Sequence, residues 1–206
     1  MNLSDSVVDI SLFSLPIGKK DIFRDEKPLV LEIGFGEGEF LINAAKRDGS
    51  RNYLGLEIKR GRFRKAVRTA EALSLENLKF LHIEAEIALR QVFRKRMFDL
   101  VLVNFPDPWP KKKHSKHRIF NQEFISCLAK VLAGGGRTKI KTDQLSYIEQ
   151  IVSEFKRSGL FRPAHLPPGF IETQTGETET KFEKHFREAS QKIFSADLLN
   201  LPSQTD

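Results

Sequence analysis

Cysteine is nearly absent: Cys127 is the single one in 206 residues. That excludes an intrachain disulfide and any cysteine zinc cluster. Its setting, Phe124-Ile125-Ser126-Cys127-Leu128, reads as an apolar helix face, so the thiol is expected to be inert packing. Long apolar runs are missing too. No stretch approaches the roughly 20 apolar residues of a membrane span, and no basic segment followed by an apolar run marks a secretory signal. The expectation is a cytoplasmic protein with no membrane partner. Internal repeats and low-complexity linkers are lacking, and the length suits one domain. Acids are outnumbered: 27 Asp and Glu against 34 Lys and Arg leave a formal net charge of +7. Such an excess favours a polyanionic partner, nucleic acid being the usual one. With 40% hydrophobic and 30% charged residues, the composition is that of a soluble globular chain.

Residues 1–27 carry no strong period and read as an N-terminal arm, with Phe13, Leu15 and Ile17 as its packing residues. From residue 28 to the end the chain reads as one α/β domain. Apolar runs at 28–33, 52–57, 77–83, 98–103 and 137–142 predict strands. Helices are expected between them, at about 40–45, 60–74, 86–95, 120–132 and 144–157. The helix over 60–74 is the clearest: Phe63, Ala66, Val67, Ala70 and Leu73 fall on one face, and Arg60, Arg64 and Arg68 stack on another. Residues 161–166 and 179–186 are expected as the last two strands, and the stretch after about 189 as weakly helical, then polar. Strands alternating with helices argue for a doubly wound, mostly parallel sheet of seven strands covered on both faces. Such sheets bind ligands beyond the carboxyl ends of their strands, at the switch point.

Three groups of residues would meet at that edge. The first is Glu32-Ile33-Gly34-Phe35-Gly36-Glu37-Gly38, where glycines turn the backbone sharply between strand and helix and let it approach a ligand. Glu57 ends the next strand, where an acid can hold ribose hydroxyls. A dinucleotide enzyme shares these features, but its glycines are spaced G-x-G-x-x-G, and Glu32 would repel a pyrophosphate. S-adenosylmethionine has no phosphate and carries an ammonium and a sulfonium, so carboxylates suit it. Glu84, after the third strand, is in place to reach the adenine; an exposed loop acid is the plainer reading.

The second group is Asn104-Phe105-Pro106-Asp107-Pro108-Trp109-Pro110. Three prolines stiffen this loop and hold Asp107 and Trp109 in defined directions. A rigid carboxylate beside an aromatic can clamp a nucleobase; the alternative is a proline-capped turn with Trp109 plugging the core edge. The run Lys111-Lys112-Lys113-His114-Ser115-Lys116-His117-Arg118 follows at once, with five fixed cations and no acid. Beside a ligand-binding loop it suits a phosphate backbone. His114 and His117 have no carboxylate or cysteine at metal-ligand spacing, so no metal is expected. The third group is Lys141-Thr142-Asp143 with Thr180-Lys181-Phe182-Glu183, offering hydroxyls and carboxylates to a base.

Together these residues resemble the tRNA (guanine-N7-)-methyltransferase family of the bacterial single-chain type, from about Pro28 to Glu183. The most specific piece is Phe105-Pro106-Asp107-Pro108-Trp109-Pro110-Lys111 with the basic run after it. The resemblance implies a Rossmann-like class I methyltransferase fold and methylation of guanine N7 in the tRNA variable loop. It implies cofactor contacts at Glu32, Glu57, Glu84 and Asp107, beside Gly34, Gly36 and Gly38. It implies substrate contacts at Lys111, Asp143 and Thr180, Lys181, Phe182 and Glu183, and RNA contacts at Lys113, His114, Lys116, His117 and Arg118. Asp107 is the expected catalytic residue. Two departures stand out: Glu84 where the family commonly has Asp or Asn, and Lys113-His114-Ser115-Lys116-His117-Arg118 where it commonly has Arg-His-x-Lys-Arg-Arg. An exocyclic-amine methyltransferase and a non-catalytic RNA-binding relative stay open as alternatives. No obligatory protein partner is evident, and a monomer or homodimer is expected.

Overall fold

The computed structural model describes residues 5–109, 118–173 and 191–202. Strands β1 (Leu29–Ile33) and β2 (Asn52–Leu56) are buried at every position, as strands sandwiched between two helical layers must be. They are followed by β3 (Leu78–Leu81), β4 (Phe98–Asn104), β5 (Leu132–Thr142), β6 (Phe161–Pro163), β7 (Ile171–Glu172) and β8 (Phe194–Asn200). The helices are α1 (Lys19–Ile22), α2 (Glu39–Arg47), α3 (Arg60–Ala72), α4 (Ala85–Ile87), α5 (Gln122–Val131) and α6 (Leu145–Ser158), with a π-helical turn at Ala88–Val92. No helix among the described residues is long and apolar enough to cross a membrane.

The sheet order is β3-β2-β1-β4-β5-β8-β6, with β7 pairing on β8. β3, β2, β1, β4 and β5 are parallel, and β8 runs antiparallel to β5, β6 and β7. The order reverses between β1 and β4, which puts the switch point beyond Ile33 and Asn104. Alternate residues of each strand feed opposite layers. Val30, Tyr53 and Phe80 pack with α2 and α3, while Leu29, Leu31, Leu54 and Val101 join α5 and α6.

The arm is not loose. Val7 and Ile17 form parallel bridges to Phe80 and Phe93, Ile17 is fully buried, and Phe13 packs against the core, whereas Leu15 is exposed. Cys127 is buried in α5, as expected.

Several expectations are corrected. The sheet has eight strands among the described residues, not seven. The strand expected at 161–166 stops at Pro163, and Leu166 is exposed. Leu73 lies just past the end of α3 and is exposed too. The strand expected at 179–186 lies outside the described residues. The expected weak helix after 189 is instead β8, an interior strand. Phe194-Ser-Ala-Asp-Leu-Leu-Asn has no β-branched residue, and packing between β5 and β6 overrides its local preference. Asp197 sits in it because Arg137 on β5 holds both carboxylate oxygens, at 3.0 and 2.9 Å.

Gly55 in the middle of β2 seats the loop that follows β1. A Cβ there would lie 2.5 Å from Phe35 Cδ1 and 2.8 Å from Leu41 Cδ2, so the Phe35 ring rests directly on the β2 backbone. Phe35 in turn stacks on Phe80, with ring centroids 4.9 Å apart. Gly55→Ala forces this ring outward. We expect it to lower stability by about 1–3 kcal/mol, read as a shift in the urea midpoint.

Candidate functional site

The parallel strands end together along one edge of the sheet, and a cleft of about 480 Å³ opens there. Its floor and walls come from Ile33, Gly34, Leu56, Glu57, Ile58, Ile83, Glu84 and Val103, and its far rim from Phe105, Asp107, Trp109 and Arg118. The lining therefore combines apolar side chains with the acids Glu57, Glu84, Glu86 and Asp107 and the cations Lys59, Arg62 and Arg118.

The glycine loop is built as the sequence suggests. Gly34, Gly36 and Gly38 have φ of 73°, 61° and 80°, a region that side chains with a Cβ rarely adopt. At Gly38 a Cβ would also meet the Ala66 Cβ at 2.7 Å, so this residue lets α2 start against α3. Glu57 then ties the loop down. Its Oε2 accepts from the Gly36 N–H at 2.9 Å and its Oε1 from the Lys59 N–H at 2.8 Å. Each carboxylate oxygen has a second lone pair, so this buried acid can still accept from a ligand in the cleft.

Glu32 is placed differently from its expected role. It is buried within β1 and does not line the cleft. Asn104 Nδ2 donates to its Oε1 at 2.8 Å, while Oε2 is buried without a hydrogen-bond partner. Burial pushes its carboxyl up to about 7, opposed by the Asn104 hydrogen bond and the Lys141 charge.

Gly34, Glu57, Glu84, Asp107 and Arg118 all line the cleft. Glu84 and Asp107 are exposed there. Asp143 stands at the end of β5 but does not line the cleft; its carboxylate accepts from Gln144 Nε2 at 2.6 Å. Gly36 and Gly38 shape the loop behind it. Lys111, Lys113, His114, Lys116, His117, Thr180, Lys181, Phe182 and Glu183 lie outside the described residues.

The Asp107 loop is held at both ends. Phe105 and Trp109 both have positive φ, 52° and 41°, a strained conformation for bulky residues that persists only where surroundings enforce it. Phe105 N–H donates to the Lys141 carbonyl at 2.8 Å. Arg118 supplies the other constraint: Nε donates to the Pro108 carbonyl at 2.8 Å, and Nη2 to the Trp109 carbonyl at 3.2 Å. Its guanidinium lies 5.1 Å from the centre of the Tyr147 ring, within cation–π range. The described contacts of Arg118 thus clamp the loop, whereas its sequence suggested only an RNA contact.

Tyr147, which sequence reasoning did not single out, lies beneath this clamp. The ring is buried, and burial raises its phenol above the ordinary range, with Arg118 and Asp107 near enough to act on it. Lys59, Arg62 and Ile58 at the near rim were missed as well. Ile58 is the one with a readable signal: an isoleucine directly after a strand-end acid, left 58% exposed.

The raised Glu32 carboxyl has a pH consequence. In the unfolded chain it ionises above about 4.5, while in the fold it keeps its proton to about 7. Stability falls as pH rises through that window, by on the order of 3 kcal/mol. Glu32→Gln keeps an acceptor for Asn104 and cannot ionise. Denaturant titrations of the two proteins at pH 4.5 and pH 8 should show the variant gaining relative to the parent only at the higher pH.

Comparison with known proteins agrees with this architecture. A family model described as a putative methyltransferase matches residues 26–196. The chain is 34% identical to the tRNA (guanine-N(7)-)-methyltransferase of Thermus thermophilus over 195 residues, 95% of this chain and 61% of the relative. It is 31% identical to that of Thermotoga maritima, covering 87% of this chain and 56% of the relative. The chain thus spans less than two thirds of the length of both relatives. For the enzyme of Halorhodospira halophila the identity is 34%, covering 79% of this chain and 71% of the relative. Among solved structures, the 16S rRNA methyltransferase KamB superposes with a TM-score of 0.67 at 15% identity, over 89% of this chain and 92% of that one. An antibiotic-related methyltransferase gives 0.65 at 18%, over 91% and 96%. These likenesses carry the Rossmann-like methyltransferase fold, and the match from residue 26 to 196 with the curated relatives carries more: the chain belongs to the tRNA (guanine-N(7)-)-methyltransferase family.

Proposed function

We propose that this chain transfers the methyl group of S-adenosylmethionine to N7 of a guanine in the variable loop of tRNA, in the cytoplasm. The observation that carries the reading is the cleft itself, lined by Glu57, Glu84 and Asp107 beside the apolar Ile33, Leu56, Ile58, Ile83 and Val103, with the clamped Asp107 loop as part of it.

The residues suit the cofactor. Glu57 has lone pairs left for two ribose hydroxyls. Ile58 and Ile83 offer apolar surface to an adenine, with Glu84 beside them. The unpartnered Oε2 of Glu32 lies behind the glycine loop, and a nearby ammonium would favour its ionised form. When bound, the cofactor supplies an electrophilic methyl carbon on a sulfonium.

The protein's task is then positioning and electrostatics. Guanine N7 has an in-plane lone pair, so no general base is needed. That lone pair forms the N–C bond as the C–S bond breaks, and its electrons stay on sulfur. The positive charge passes from sulfur to the purine, and no proton moves. Asp107 faces that growing charge and is the catalytic residue of this reading. Trp109, 37% exposed at the same rim, offers a face for a base to stack on, and Asp143 stands at the same sheet edge. The basic residues of 111–117 would carry RNA phosphates past the loop, with Lys111, Lys113, His114, Lys116 and His117 toward RNA. Thr180, Lys181, Phe182 and Glu183 would complete the base site.

The test is incubation with labelled S-adenosylmethionine and unmodified tRNA, followed by nucleoside analysis, with 7-methylguanosine expected. Label on an exocyclic amine would mean a different methyltransferase. Cofactor binding with no transfer would mean a non-catalytic relative. Asp107→Ala should slow single-turnover transfer about 100-fold and leave tRNA affinity nearly unchanged, since phosphate contacts dominate it.

Arg118 separates clamping from RNA contact. Arg118→Ala frees the Pro108 and Trp109 carbonyls and lets the loop relax. A loss of about tenfold in single-turnover rate is expected, because small misplacements of a reacting group are expensive. The salt dependence of tRNA binding should stay as in the parent, and Arg118→Lys should recover part of the rate.

A further inference from the structure

Helix α3 begins three residues after Glu57 and buries Phe63, Ala66, Val67 and Ala70. Its other face leaves Arg60, Arg62, Arg64, Lys65 and Arg68 exposed. Lys65 is paired with Glu37 at 2.7 Å. The first turn contains no acid.

Helix stability does not explain this pattern. Cations at the start of a helix oppose the positive end of its dipole. Arg60, Arg64 and Arg68 stand four residues apart, and like charges at that spacing destabilise a helix. Arg68 Nε also reaches the Arg64 carbonyl, at 3.4 Å, so the row runs continuously along one side. A local conflict of this kind is expected where function outweighs stability. The helix also begins at the cleft: Lys59 and Arg62 line it together with Asp107, Trp109 and Arg118, while Arg60, Arg64 and Arg68 stand outside it.

We propose that the exposed face of α3, through Arg60, Arg64 and Arg68, is a second docking surface for the phosphate backbone of the RNA substrate. This rests on the function proposed above and adds phosphate contacts from a part of the chain separate from the 111–118 run. Successive arginines in the row rise about 6 Å along the helix axis, and the guanidinium fork suits phosphate oxygens. The RNA is then held along α3, whose first turn borders the cleft through Arg62.

The experiment uses the full chain with Arg60→Gln, Arg64→Gln and Arg68→Gln combined, and a second variant with Lys at the same three positions. Binding of unmodified tRNA is measured across a salt series, with S-adenosylmethionine affinity by calorimetry and single-turnover transfer at saturating tRNA. The Gln variant should bind tRNA at least tenfold more weakly, with a log–log salt slope shallower by about two. Cofactor affinity and saturated transfer rate should match the parent. The Lys variant should keep the parent slope. Unchanged tRNA affinity and slope in the Gln variant would overturn the proposal, as would an equal loss in the Lys variant. If the parent neither binds nor methylates tRNA, the proposed function itself fails, and the two failures are thereby distinct.

Discussion

Both oxygens of the Glu57 carboxylate are engaged by backbone N–H groups, one from Gly36 and one from Lys59. This buried acid therefore joins the glycine loop after β1 to the segment that starts α3. The cleft wall, the turn into α2 and the entry of α3 all depend on that bridge. It is possible because β1 and β2 pair in parallel with Ile33 opposite Leu56, which brings the two strand ends level. Gly55 completes the arrangement from below by letting Phe35 lie on the β2 backbone. A charged group buried here is tolerated because fixed donors replace water.

The opposite rim is stabilised by other means. Phe105 and Trp109 sit in a backbone region that L residues seldom occupy, and the loop between them carries Asp107. Strain of this sort needs external constraint. The Lys141 carbonyl holds one end and the Arg118 guanidinium the other. Tyr147 supports Arg118 from α6. Two rims built by independent contacts suit a site that must hold two reacting partners at a fixed separation.

Charge shows a division of labour. Glu57, Glu84 and Asp107 line the cleft together with Lys59, Arg62 and Arg118, while Arg60, Arg64 and Arg68 stand exposed on α3 outside it. In the proposed reaction the cofactor is a cation and the substrate a polyanion. The acids of the cleft suit the first and the arginine row the second, at some expense to the stability of α3.

The sequence by itself determined the alternation of strands and helices, because apolar runs of strand length and helical periodicity such as Phe63, Ala66, Val67 and Ala70 are local patterns. It also determined the glycine turn and the strand-end acids Glu57 and Glu84, because a parallel sheet sends all its carboxyl ends to one edge. Only the tertiary structure decided the rest. It made residues 194–200 an interior strand, since burial between β5 and β6 outweighs a weak local preference. It withdrew Glu32 into β1 behind the cleft and kept Asp143 off the cleft wall, since strand ends that share an edge need not point their side chains to one place. It turned Arg118 onto two carbonyls and the Tyr147 ring, contacts between residues up to 29 positions apart. Spacing along a chain reports which residues can share an element, but the direction of a side chain is set by what packs around it.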